Sequence, residues 1–157
     1  MKCVFFLFFT LLFLAGCDSN RVFEDYREFD DRKWKINDPA VFEFQINDVS
    51  KKYNLYYNVR NSLDYPVSRI FVNYLLTDST GNEIAKQLKS DFLFEKDGRP
   101  LGRSGLGDVY DNQFLLLENQ RFEKSGTYKF YLEQFSRYDT LAGILAVGLR
   151  VETASLQ

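Results

Sequence analysis

Tyr53-Asn54-Leu55-Tyr56-Tyr57-Asn58-Val59-Arg60 decides the fold class of this 157-residue chain. Tyr53, Leu55, Tyr57 and Val59 fall on one side of an extended backbone, and Asn54, Tyr56, Asn58 and Arg60 on the other. That is the period of two expected of a half-buried strand. The same alternation recurs outward in both directions. In 41–48, Phe42, Phe44 and Ile46 oppose Glu43, Gln45 and Asn47; in 68–77, Ile70, Val72, Tyr74 and Leu76 share a face. Tyr128, Phe130 and Leu132 alternate with Lys129, Tyr131 and Glu133, and 144–151 is largely apolar on both faces. Residues 83–94 mix polar and apolar positions and read as a weaker edge strand. Residues 61–66, Thr80-Gly81-Asn82 and Ser125-Gly126 are turns. The single helical candidate is short, 136–142. With 16 Phe, 10 Tyr and one Trp supplying bulky side chains, the pattern predicts an all-β chain. The expected architecture is an antiparallel β-sandwich, immunoglobulin-like or similar, with one short helix at most.

Upstream of these strands, Asp38-Pro39 marks a turn, because proline pushes the preceding residue out of the helical region. Before it, residues 18–31 carry Asp18, Glu24, Asp25, Glu28, Asp30 and Asp31 against Arg21 and Arg27. Charge of this density is expected of a solvated tether. Phe23, Tyr26 and Phe29, spaced by three, leave two conformations open inside it, a short helical turn or an edge strand. The expectation is a tether whose later half docks near Trp34.

Residues 1–16 read as an address. Lys2 is followed by an apolar run from Val4 to Leu14 interrupted only by Thr10, which is too short for a span of about 20 helical residues. Leu14-Ala15-Gly16-Cys17 resembles the bacterial lipobox, in which the cysteine thiol receives a diacylglycerol and the new N-terminus is acylated, as with palmitate. Two or three acyl chains hold a protein on a membrane where one does not. The expected organisation is a signal peptide over 1–16, a lipidated N-terminus and acidic tether over 17–33, and a sandwich domain over 34–157. The expected location is the bacterial cell envelope through a lipid anchor, the outer membrane favoured over the inner.

Of the two cysteines, Cys3 leaves with the leader, so Cys17 has no intramolecular disulfide partner. Loss of Lys2 takes the net charge from −2 to −3, a balance that gives no electrostatic footprint for nucleic acid. With no histidine in the chain, the usual general base and the commonest metal imidazole are missing. No catalytic residue, cofactor or metal ligand is assigned.

The stretch most open to a binding role is the loop 98–111. Gly98, Gly102, Gly105 and Gly107 permit close backbone approach, and Arg99, Arg103, Asp108, Tyr110 and Asp111 supply hydrogen-bonding groups. A phosphate cradle would need a helix N-terminus after the glycines, and Asp108-Val109-Tyr110-Asp111 follows instead. Asp97, Asp108 and Asp111 are hard oxygen donors that could suit calcium, without the spacing of the helix-loop-helix motif. A serine nucleophile would need a lysine partner, and the mature chain has no Ser-x-x-Lys. Tyr56 and Tyr131 alternate with core positions and point outward, able to stack on a sugar or anchor a protein.

Several of these segments occur in a familiar order. They are the lipobox, the tryptophan before Phe42-Glu43-Phe44, and Leu55-Tyr56-Tyr57-Asn58-Val59-Arg60-Asn61 with Tyr65-Pro66. The loop 102–111 follows, then Gly126-Thr127-Tyr128 through Gln134, then Leu141-Ala142-Gly143-Ile144 with Val147-Gly148-Leu149. Together they resemble the gliding-motility lipoprotein GldH family of Bacteroidetes over nearly the whole mature chain. One departure is Ser136-Arg137, where the family often has methionine-arginine, a difference that touches packing. The resemblance implies an envelope lipoprotein acting with other Gld proteins in gliding and the associated secretion machinery, with no known enzymatic activity or cofactor. Members also occur in species that do not glide. Two readings follow: a non-catalytic subunit of an envelope assembly working through protein contacts, or a surface lipoprotein that binds glycan, with calcium as a possible aid.

Overall fold

The structure, a computed structural model, describes residues 19–155; Leu14, Ala15, Gly16 and Cys17 lie outside the described residues. Within them the chain forms strands and no helix. The strands are β1 (Arg21–Glu28), β2 (Lys33–Lys35), β3 (Ala40–Ile46), β4 (Tyr53–Ser62), β5 (Arg69–Thr77) and β6 (Glu83–Phe92). After them come β7 (Arg103–Ser104), β8 (Val109–Gln120), β9 (Gly126–Gln134), β10 (Thr140–Ala142) and β11 (Ile144–Thr153). They build a five-stranded sheet in the order β1-β11-β4-β8-β7, a four-stranded sheet in the order β3-β9-β5-β6, and the small pair β10-β2. Every pairing is antiparallel. The expected all-β sandwich is therefore the observed architecture.

The two larger sheets face each other because each strand turns one alternate row of apolar side chains inward. Ala40, Phe42, Phe44 and Ile46 of β3, Ile70, Val72, Tyr74 and Leu76 of β5, and Tyr128, Phe130 and Leu132 of β9 are buried from one side. Tyr53, Leu55, Tyr57 and Val59 of β4 and Val147, Leu149 and Val151 of β11 meet them from the other. At one end, Phe44, Tyr53, Phe122 and Tyr128 form an edge-to-face and stacked aromatic cluster with centroids 4.5–6.1 Å apart. Tyr57 spans the layers: its hydroxyl donates to Asp91 Oδ2 of β6 at 2.6 Å. Trp34 closes the other end, fully buried, stacked on Phe29 and donating from Nε1 to the Asp38 carbonyl at 2.9 Å.

Three segments differ from expectation. Residues 136–142, expected as a helix, are bends over 136–139 and the strand β10 over 140–142. There the Gln134 Oε1 accepts from Ser136 N at 3.0 Å and Ser136 Oγ at 2.8 Å, and Ser136 Oγ accepts from Tyr138 N at 3.1 Å. These local bonds compete with a helical ladder. Residues 21–28 lie within the expected tether, where a helical turn and an edge strand are both open, and they form a full edge strand on β11. The spacing of three misleads because a strand reads it in twos: Phe23 and Phe29 turn inward onto Phe44 and Trp34, while Tyr26 turns outward. The third is β8, whose first residues, 109–111, fall in the expected loop 98–111. Its alternation slips at Leu115-Leu116-Leu117, where a bulge places Leu117 opposite Leu55 and Leu115 opposite Tyr56.

The strands of the five-stranded sheet run about 30 Å from end to end, nine steps of about 3.4 Å in β4. At one end stand Asn20, Lys52, Gln120 and Thr153; at the other stand Ser62, Val109 and Ile144.

Candidate functional site

The outer face of the five-stranded sheet carries a continuous polar patch, built from alternate residues that the core leaves outside. Cross-strand pairing sets it out in rows: Glu24, Arg150, Tyr56 and Leu115; then Tyr26, Gly148, Asn58 and Gln113; then Glu28, Ala146, Arg60, Asp111 and Arg103. Gly148 is the low point. A Cβ there would lie 2.8 Å from both Asp25 O and Tyr26 Cδ1, so the Tyr26 ring can lie across β11 only because this residue has no side chain.

From that position Tyr26 reaches the strand beyond. Asn58 Nδ2 donates to Tyr26 Oη at 2.9 Å, Gln113 Nε2 donates to Asn58 Oδ1 at 3.1 Å, and Tyr26 Oη donates to Glu24 Oε1 at 3.3 Å. Arg150 Nη1 donates to Glu24 Oε2 at 3.1 Å, while its Nε bonds Glu152. Arg60 Nε donates to Asp111 Oδ1 at 2.8 Å, with its guanidinium 5.7 Å from the Tyr26 ring centroid. Burial, then the Glu24 charge, push the Tyr26 hydroxyl above its ordinary range, and the bond to Asp111 holds the Arg60 guanidinium charged. The result is a set of donors and acceptors held in place by one another. Its donors and acceptors stand at the surface of the sheet, where they can form hydrogen bonds.

The five residues singled out in 98–111 are not brought together. Arg103 and Asp111 reach the polar face, paired across β7 and β8. Tyr110 is one residue from Asp111, pairs with Asn61 and takes the opposite side of the strand. Asp108 lies 4.0 Å from Arg32 at the rim. Arg99 folds back on Asp97, Nε to Oδ2 at 2.9 Å, in an exposed turn. The carboxylates weighed for calcium therefore face three different arginines, and among the described residues no three His, Cys, Asp or Glu side chains converge on a metal position. Leu106, at the tip between Gly105 and Gly107, is 94% exposed.

Sequence reasoning missed Glu24, Tyr26, Gln113 and Arg150. Asn58 and Arg60 are legible as an outward row, but Tyr26 falls in a tether-like stretch, and nothing local says that β1 lies beside β11. Tyr56 does face outward, as its alternation predicts.

The family model described as GldH lipoprotein matches residues 21–151. The chain is 32% identical over 156 residues to "Gliding motility lipoprotein GldH homolog" of Christiangramia forsetii, covering 95% of this chain and 94% of the relative. It is 28% identical over 153 residues to "Gliding motility lipoprotein GldH" of Flavobacterium johnsoniae, covering 93% of each. Among solved structures, the infectious bursal disease virus VP2 subviral particle gives a TM-score of 0.38 at 11% identity, over 87% of this chain and 34% of that one. A likeness so remote carries no argument.

Proposed function

Since the chain belongs to the GldH lipoprotein family, we propose that it is a non-catalytic subunit of an envelope assembly serving gliding motility and its associated secretion. In this reading Cys17 carries the lipid anchor in the outer membrane, and protein partners are held through the 98–111 loop and the polar face beside it. One observation carries the contact reading: Arg103 and Asp111 adjoin the mutually bonded Glu24, Tyr26, Asn58 and Gln113. Side chains already fixed by one another lose little rotamer freedom when a partner arrives, which favours docking. Leu106 at the loop tip adds an apolar contact point.

Co-purification of the full-length protein from detergent-solubilised membranes tests this. Recovery of defined protein partners in fixed ratio is expected. Binding to a glycan array with no protein partner recovered would overturn it in favour of the glycan reading. Acyl labelling tests the anchor: Cys17→Ser is expected to abolish labelling and leave unprocessed precursor, and a labelled, membrane-bound Cys17→Ser protein would refute the lipobox.

A further inference from the structure

We infer that the end of the sandwich bearing Asn20 rests on the bilayer surface, with Lys51, Lys52 and Arg121 set against the phosphate headgroups of anionic phospholipids. This rests on the Cys17 anchor. Cys17 precedes Asn20 by three residues, a stretch that spans at most about 11 Å. Asn20 is itself pinned to the sheet: its carbonyl accepts from Thr153 N at 2.8 Å, and pairing with β11 starts at Arg21 opposite Glu152. A lipid at Cys17 therefore holds one particular end of the domain at the headgroups, not a domain swinging on a long tether.

The row of residues at that end continues across the sheet. Ala154 N donates to the Lys52 carbonyl at 2.8 Å, and Tyr53 pairs with Gln120, next to Arg121. Asn20, Lys51, Lys52, Glu118 and Arg121 line one groove there, three cations against one carboxylate. Among the described residues neither Lys52 nor Arg121 forms an ion pair. Glu83 and Glu123 line the adjoining groove with Arg121, while Asp48 and Asp78 are engaged in their own turns. Asp48 accepts from Ser50 N at 3.0 Å and Ser50 Oγ at 2.6 Å and faces Lys51 Nζ at 3.7 Å, and Asp78 accepts from Thr80 and Asn82. Val49, at the tip of the same turn as Lys51, is 42% exposed. An apolar tip flanked by lysines suits the headgroup boundary, where the stem is buried and the ammonium stays wet.

A lysine or arginine close to an anionic leaflet gains about five-fold in local occupancy. The mature chain is net negative, so anionic lipid repels most of its surface and attracts this end, which orients the domain. The strands then stand away from the membrane, and Arg103 and Leu106 are presented at the far end, about 30 Å out.

The test uses the lipidated full-length protein in vesicles, with a fluorophore placed by Val49→Cys or by Leu106→Cys and a spin-labelled quencher lipid in the bilayer. Quenching is expected at position 49 and not at 106. It is expected to rise when phosphatidylglycerol is added to phosphatidylcholine, and to lose that rise in high salt or in Lys51→Glu/Lys52→Glu/Arg121→Glu. Equal quenching at the two positions, or an undiminished response in the triple variant, overturns the inference. Flotation with pure phosphatidylcholine vesicles reports the anchor alone. A protein that does not float refutes the Cys17 reading and this inference with it; one that floats without quenching at 49 refutes this inference only.

Discussion

The Tyr26 ring lies over Gly148 of the neighbouring strand and delivers its hydroxyl to Asn58 on the strand beyond, Nδ2 to Oη 2.9 Å. One residue thus ties β1 to two strands of the sheet. Gly148→Ala must displace either the ring or the Asp25 carbonyl and is expected to cost about 1–3 kcal/mol. Tyr26→Ala takes the acceptor from Nδ2 of the buried Asn58, whose Oδ1 keeps its bond from Gln113, at about 1–2 kcal/mol. Because both act on one contact, urea denaturation of the double variant should show a loss well short of the sum. Additive losses would mean the ring is not held there.

Gly143 has φ +80°, and a Cβ on it would lie 2.6 Å from Tyr65 N. Gly143→Ala is expected to cost about 3 kcal/mol, combining backbone strain with a clash against main chain that cannot swing away. Gly107→Ala, at φ +71° with open space around it, should cost only about 1 kcal/mol. Thermal melts of the pair check the order; equal costs would contradict the packing of residues 64–65 on β11's entry turn.

Stability should fall on the alkaline side. Burial, then the bond to Asp91, keep the Tyr57 hydroxyl protonated far above its ordinary range, burial does the same for Tyr65, and burial raises Tyr74 as well. A native pKa above the unfolded value stabilises the fold fully below roughly pH 10 and is lost as pH rises through the native value. The urea midpoint is therefore expected to hold through neutral pH and drop above roughly pH 10, with tyrosinate absorbance appearing together with unfolding. Ionisation that precedes unfolding would show the hydroxyls to be accessible.

Arg103→Glu with Leu106→Asp is expected to abolish partner recovery while leaving the melting temperature nearly unchanged, since both side chains are exposed. Tyr110 is left intact because it packs on the other side of β8 from Asp111. Full partner recovery would move the interface off this loop, with the outward tyrosine face next in line.

Saturating calcium is expected to leave the melting temperature where it was, because Asp97, Asp108 and Asp111 are each turned to a different arginine. Calcium at 100 times its dissociation constant would add about 2.7 kcal/mol, several degrees for a domain of this size. A shift of that size would revive the carboxylate loop.

The alternation in residues 41–48, 53–60, 68–77 and 128–132 was enough to identify four strands, their inward rows and the all-β class, because the strand period is a property of the backbone itself and needs no neighbour. Asn58 and Arg60 were legible as outward for the same reason. Partnership between strands distant in sequence is another matter. That Tyr26 meets Asn58, 32 residues away, and that Arg60 meets Asp111, 51 residues away, follows from β1 joining β11 and β8 joining β4, and no local propensity encodes those neighbours. Tertiary pairing also drew residues 21–28 out of an acidic, tether-like composition, because inward Phe23 and Phe29 find Phe44 and Trp34 waiting. It drew 109–120 into a strand whose broken alternation is absorbed by a bulge against β4. Periodicity is local and survives in one dimension; adjacency, and with it the polar face and the end nearest the anchor, exists only once the sheets have closed on each other.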